Sequence, residues 1–190
     1  MSDTWVLEAI GALEPESKKS GGLSLSAVLL LLRPTQADPE QFEVVFTRRS
    51  MEVPTHAGQV SLPGGRLESG ESPEEGALRE ASEEIGIETK DVEIIGRLNE
   101  LTTISGYHVT PVVGVLREPV EYRPEVGEVA RVFEVPLGEL LKRERWELHV
   151  HTRKQREVPL WYFEFDNEVI WGVTGQLLME LLEYLWECQR

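Results

Sequence analysis

Cysteine is nearly missing from this sequence: Cys188 is the single one in 190 residues. An internal disulfide framework is excluded, and a lone thiol with no acid–base partners in view is no candidate nucleophile. Basic residues are scarce as well. Nineteen Lys and Arg stand against 34 Asp and Glu, for a net charge of −15. A basic footprint for nucleic acid is therefore absent. Long-range attraction of an anionic substrate is absent too, so any phosphate must be recognised locally. The longest apolar run, residues 23–32, is too short to span a bilayer. The first residues, Met1-Ser2-Asp3-Thr4-Trp5, lack the basic start and apolar stretch of a signal peptide. The expectation is a cytoplasmic protein in a reducing setting, with no membrane partner. Internal repeats and low-complexity tracts are also lacking.

What is present is concentrated in residues 65–87. Gly65-Arg66-Leu67-Glu68-Ser69-Gly70-Glu71 forms a glycine-bearing loop ahead of a well-marked helix. Ser72 is a good N-cap, Pro73 suits the first helical position, and Glu75 completes a capping box. Gly86 suits a left-handed stop. Ala77, Leu78, Ala81 and Ile85 recur at helical spacing as the inward stripe. Glu80, Glu83 and Glu84 then project to one side. Like charges three and four apart repel by a few tenths of a kcal/mol. A divalent cation reverses the sign of that term, and carboxylates are the ligands Mg²⁺ and Mn²⁺ prefer. Gly76 costs roughly 1 kcal/mol against alanine inside a helix, which room for a close ligand would offset. The plain alternative is a solvated acidic face. It suits Glu74 and Glu75 near the helix start, but not Glu83 and Glu84 in the last turn, where the dipole disfavours anions.

Around this segment, residues 1–22 read as a short amphipathic stretch and a loose connector, and 23–190 as a single domain. Strands are expected at 23–32 and 42–47, joined as a hairpin, and at 92–101, 109–116 and 129–135. Pro111 suggests an edge or a strand entry. A short helix is expected at 137–142, then a hairpin of 146–152 with 158–165 around the charged turn 153–157. An amphipathic helix closes the chain from Thr174. Strands and helices mix without regular βαβ alternation, which indicates an α+β or layered α/β domain.

Upstream of the glycine loop, Thr47-Arg48-Arg49-Ser50 is followed by His56, Gly58 and then Leu62-Pro63-Gly64-Gly65. Taken singly, two arginines at a strand end are solvated charges, and a loop histidine is a surface residue. Taken together beside a candidate metal site, the arginines offer planar donors for phosphate. The glycines let backbone N–H groups approach it.

These residues carry a resemblance. Residues 65–87 look like the Nudix box: glycine, five residues, glutamate, seven residues, then Arg-Glu-apolar-x-Glu-Glu-x-Gly-apolar. Gly65, Glu71, Arg79, Glu80, Glu83, Glu84, Gly86 and Ile87 match, with Ala81 as a small choice at the apolar position. Val45 to Ser50, Gly58 and Leu62 to Gly65 further resemble the signature of coenzyme A pyrophosphatases within that superfamily. Pro54 stands there in place of a basic residue and Leu62 in place of Phe. The segments 105–111 and 170–174 resemble the same subfamily.

The resemblance implies the Nudix fold, a mixed sheet sandwiched between helices. It implies Mg²⁺ or Mn²⁺ held by Glu80, Glu83, Glu84 and the Gly65 carbonyl, with Glu83 and Glu84 catalytic. It gives Arg48, Arg49, His56 and Gly58 to substrate, and Glu71 with Arg79 to bracing the loop. The reaction implied is hydrolysis of coenzyme A to adenosine 3′,5′-bisphosphate and 4′-phosphopantetheine. ADP-ribose or another nucleoside diphosphate derivative is the alternative substrate, and a non-catalytic nucleotide sensor the alternative class. A small nucleotide is the expected partner, and assembly is left open, a homodimer included.

Overall fold

Leu29, Leu30, Leu31 and Leu32 follow one another, and all four are fully buried. Successive side chains of a strand point to opposite faces, so this strand must be covered on both. A computed structural model, which describes residues 2–16, 21–153 and 156–189, shows how.

In chain order the elements are α1 (Thr4–Gly11), β1 (Ser24–Pro34), β2 (Phe42–Arg49), β3 (Val60–Ser61), β4 (Gly64–Arg66) and α2 (Pro73–Ile85). There follow β5 (Val92–Arg97), β6 (Leu101–Thr102), β7 (Tyr107–Leu116), β8 (Val129–Pro136) and α3 (Leu137–Leu140). The chain closes with β9 (Glu147–Arg153), β10 (Arg156–Phe165), β11 (Glu168–Ile170) and α4 (Gly172–Cys188). The main sheet runs β3-β2-β1-β7-β5, with β4 on β1, β6 on β7 and β8 on β2. It is mixed: β1 and β7 pair in parallel from Ser24↔Tyr107 to Leu32↔Val115, and the remaining pairs are antiparallel. A second sheet has the order β11-β10-β9.

Two apolar layers form on the main sheet. Ala27, Leu29, Leu31 and Val45 meet Ala77, Ala81 and Ile85 of α2 on one face. Leu30, Leu32, Val44 and Phe46 meet α1 and α4 on the other, through Val6, Ile10, Leu178, Leu182 and Leu185. This is the expected mixed sheet between helices. The N-terminal stretch supplies Val6 and Ile10 to the same core. It is also tied down by the Phe42 amide donating to the Asp3 carboxylate at 3.0 Å and by the Tyr184 hydroxyl donating to the Ala9 carbonyl at 3.0 Å.

Three expectations change. Pro111 sits inside β7, which has neighbours on both sides, rather than at an edge. Its carbonyl accepts from Leu98 N–H at 3.0 Å, so its missing donor faces the interruption between β5 and β6. The strand expected at 92–101 is divided there, after a bulge between Ile94 and Gly96. The glycine loop ahead of α2 begins as a short strand, β4, laid antiparallel on β1. Parts of the expected connector (17–20) and of the 153–157 turn (154–155) lie outside the described residues.

Candidate active site

The start of α2 is fixed as its residues dictate. The Ser72 side chain accepts from Glu75 N–H, the Glu75 carboxylate accepts from Ser72 N–H, and Gly86 ends the helix at φ 71°. The helix is held against β4 by glycine. A Cβ at Gly64 would strike the Ala27 carbonyl and the Val28 backbone, and one at Gly65 would enter the Glu80 carboxylate. Backbone and carboxylate can thus approach only because both side chains are absent.

Two of the three acids face this junction. Glu84 has a side chain only 6% exposed. It accepts from Gly64 N–H at 3.1 Å and lies 3.8 Å from Arg49 Nη1. Burial pushes its carboxyl up to about 7, against the pull of Gly64 N–H and Arg49, and the charges of Glu80 and Glu128 add to the rise. Glu80 is also raised, chiefly by burial, against the pull of Arg79 and with help from Glu83 and Glu128. Glu83 instead points outward, with its side chain 61% exposed.

Arg79 organises the edge. It holds Glu71 with two bonds, Nε at 2.8 Å and Nη2 at 3.1 Å, and donates to the Arg66 carbonyl at 3.0 Å. Its Nη1 reaches Glu80 at 3.0 Å and Glu83 at 3.2 Å. The Arg79 bond, followed by Glu68 N–H, holds the Glu71 carboxyl below the usual range. A loop, a helix turn and two site acids are therefore joined through one guanidinium. Gly76 serves the same junction. The space beside it is filled by Leu67 and Glu71, not left for a ligand as its sequence position suggested.

The expected substrate residues separate. Arg48 and Arg49 are adjacent on β2 and turn opposite ways. Arg49 reaches Glu84, while Arg48 donates to Glu168 at 3.1 Å, a carboxylate that Arg131 also contacts at 3.1 Å. His56 and Gly58 lie in the loop from β2 to β3. Gly58 N–H donates to the Arg49 carbonyl at 3.2 Å, and His56 is exposed, with Nδ1 at 2.8 Å from Gln59. Sequence reading passed over Glu128, whose charge acts on both Glu80 and Glu84. Its place is set by main-chain bonds: Arg123 N–H to the Ile85 carbonyl at 2.8 Å, Glu125 N–H to that of Glu84 at 2.9 Å, and Ser50 N–H to that of Glu128 at 2.7 Å. Nothing in its own sequence neighbourhood marks it out.

The donor chemistry suits a hard divalent cation: the available ligands are oxygens, and two carboxyls are disfavoured as anions where they stand. The acids are not gathered around a point, because Arg79 draws Glu80 and Glu83 toward itself. Among the described residues no three His, Cys, Asp or Glu side chains are close enough together to hold an ion. A depression of about 410 Å³ between Arg33, Val120, Tyr122 and Glu134 lies apart from these acids.

A family model described as NUDIX domain matches residues 24–159. The chain belongs to the Nudix family. It is 37% identical to the protein named Uncharacterized Nudix hydrolase NudL from Citrobacter koseri, over 139 residues that make up 73% of this chain and 72% of that one. The NudL of Cronobacter sakazakii is 34% identical over 171 residues, 89% and 87% of the two chains. Among solved structures, the MutT protein of Methanosarcina mazei superposes with a TM-score of 0.54 at 20% identity, covering 94% of this chain and all of that one. The NUDIX domain of Shewanella oneidensis NrtR, crystallised with ADP ribose, gives 0.53 at 18%, with both chains fully covered. At these identities the two structures establish the fold. As a Nudix hydrolase, the protein cleaves phosphoanhydride bonds in small molecules, a reaction for which the family uses divalent cations. No helix of the described residues is long and apolar enough to cross a membrane.

Proposed function

We propose that this Nudix hydrolase cleaves the diphosphate linkage of coenzyme A or its derivatives, giving adenosine 3′,5′-bisphosphate and 4′-phosphopantetheine. The observation that carries the reaction is the buried Glu84 carboxylate, fixed by Gly64 N–H beside Glu80 and Arg49. The substrate reading is supported by the signature of Val45 to Ser50, Gly58 and Leu62 to Gly65 on β2, β3 and β4.

Glu80, Glu84 and the Gly65 carbonyl would hold Mg²⁺ or Mn²⁺, with Glu83 and Glu128 completing the acidic set. The cation, when bound, neutralises diphosphate oxygens and makes its water more acidic. Arg49, 3.8 Å from Glu84, would offer a phosphate a permanent charge. Arg79 braces the loop through Glu71, and Glu83, more exposed than Glu80 and Glu84, would share in taking the proton of the attacking water. Water adds across the P–O–P bridge, so each product leaves with its own phosphate. Arg48 is assigned to holding β11 through Glu168 rather than to direct phosphate contact.

Pro54, where the signature has a base, favours a second substrate reading, ADP-ribose or another nucleoside diphosphate derivative. Incubation with coenzyme A and with ADP-ribose in parallel, with Mg²⁺ or Mn²⁺ at mildly alkaline pH, and identification of the products tests both. Release of the two named products supports the proposal. A preference of about tenfold or more in kcat/KM for ADP-ribose reverses it.

A further inference from the structure

The second sheet ends in an open edge. In the order β11-β10-β9 the outer side of β9 pairs with nothing among the described residues. Residues 147–152 are all exposed. Natural edge strands are blunted by charge, proline or a bulge. Between Glu147 and Arg153 this one reads Leu-His-Val-His-Thr, with no Lys, Arg, Asp, Glu or Pro, and its register with β10 is unbroken.

The same strand exposes apolar area. Leu148 is 52% and Val150 60% exposed. They stand opposite Trp161 and Pro159 of β10 and so share their face. Trp161 packs against the main core. The apolar face therefore continues outward from the core, where α4 packs on β10, along a two-stranded ribbon whose Leu148 and Val150 stay exposed. Such a ribbon is marginal in water on its own.

We propose that a second copy of this chain covers it, by antiparallel pairing of β9 with β9 about a two-fold axis at Val150. That register is self-complementary, as an isologous interface must be. It sets Val150 against Val150 of the second copy, Leu148 against Thr152 and His149 against His151. The two three-stranded sheets then become one sheet, and both Leu148–Val150 patches lie on the same face. Charge favours this occupant over others. Two chains of −15 each repel unless they meet where carboxylates are missing, and 148–152 is such a stretch. An anionic lipid surface or a basic peptide finds no matching charge on residues 148–152.

Sedimentation velocity over about 1–100 µM protein at about 0.15 M salt reads the association. The expected result is a species approaching twice the chain mass of 21.6 kDa as concentration rises. Val150→Lys sets two ammonium groups against each other on the axis, and should give the single-chain mass throughout with the circular dichroism and diphosphatase rate unchanged. In a Cys188→Ser background, a short bis-maleimide should link Val150→Cys between chains and leave Ile104→Cys, equally exposed on a turn, unlinked. A single-chain mass for the unaltered protein at every concentration overturns the proposal. So does a dimer that survives Val150→Lys, or equal linking at both cysteine positions.

Discussion

Replacing Glu84 by Gln should make the cation-free protein more stable at alkaline pH while removing its activity. A carboxyl whose ordinary value is 4.5 stands at about 7 in the fold, chiefly because it is buried. Between those values the folded chain holds a proton that the unfolded chain has released, so stability falls as pH rises. The contribution is fully present below 4.5 and gone above about 7. It amounts to on the order of 3 kcal/mol at 1.36 kcal/mol per pH unit. With 190 residues, that corresponds to roughly 10 °C in Tm. Gln keeps an oxygen for Gly64 N–H and has no proton to lose. Differential scanning calorimetry in EDTA between pH 5 and 8 should show a falling Tm in the unaltered protein and a shallower slope in the variant. The residual slope belongs to Glu80 and Glu43, whose shifts have the same sign. Mn²⁺ at pH 8 should raise the Tm of the unaltered protein and leave that of the variant nearly unmoved. Equal slopes for the two proteins in EDTA would refute the burial argument for Glu84.

Neighbouring glycines should fail differently. Gly64→Ala drives a Cβ into the β1 backbone and should cost more than about 2 kcal/mol in urea unfolding. Gly65→Ala meets only the movable end of Glu80, and should keep most of its stability while losing roughly a hundredfold in kcat. The two arginines should also part: Arg49→Ala raises KM for a diphosphate substrate about tenfold or more, and Arg48→Ala leaves KM close to unaltered while lowering Tm, as Glu168 loses one of its two cations. Glu71→Gln weakens the Arg79 clamp, and is expected to lower kcat by roughly tenfold or more with little change in Tm.

The parts of this fold written in local pattern could be read from the chain. The cap, stop and inward stripe of α2 lie within one short stretch; local bonds realise the first two, and burial of Ala77, Ala81 and Ile85 against the main sheet realises the third. The four leucines of β1 announced a buried strand. What the sequence withheld depends on partners distant along the chain. The direction of Arg48 away from Glu84 is set by β11, 120 residues later. Gly76 looked like space because Leu67 and Glu71, which fill it, arrive from the preceding loop. Pro111 suggested an edge or a strand entry, yet it lies inside β7, and the strand that breaks is its neighbour. Glu128 became part of the site only when residues 123–125 were bonded to the end of α2, and no residue-type pattern records such a bond.

Those last bonds have a consequence for how the enzyme tolerates change. Arg123 and Glu125 grip the terminal carbonyls of the helix with main-chain amides alone. Side chains along that strap are thereby free to be exchanged, while an inserted or deleted residue would let go of the helix and carry Glu128 off with it. Substitutions at 123 and 125 leave those main-chain bonds in place as long as the segment keeps its length.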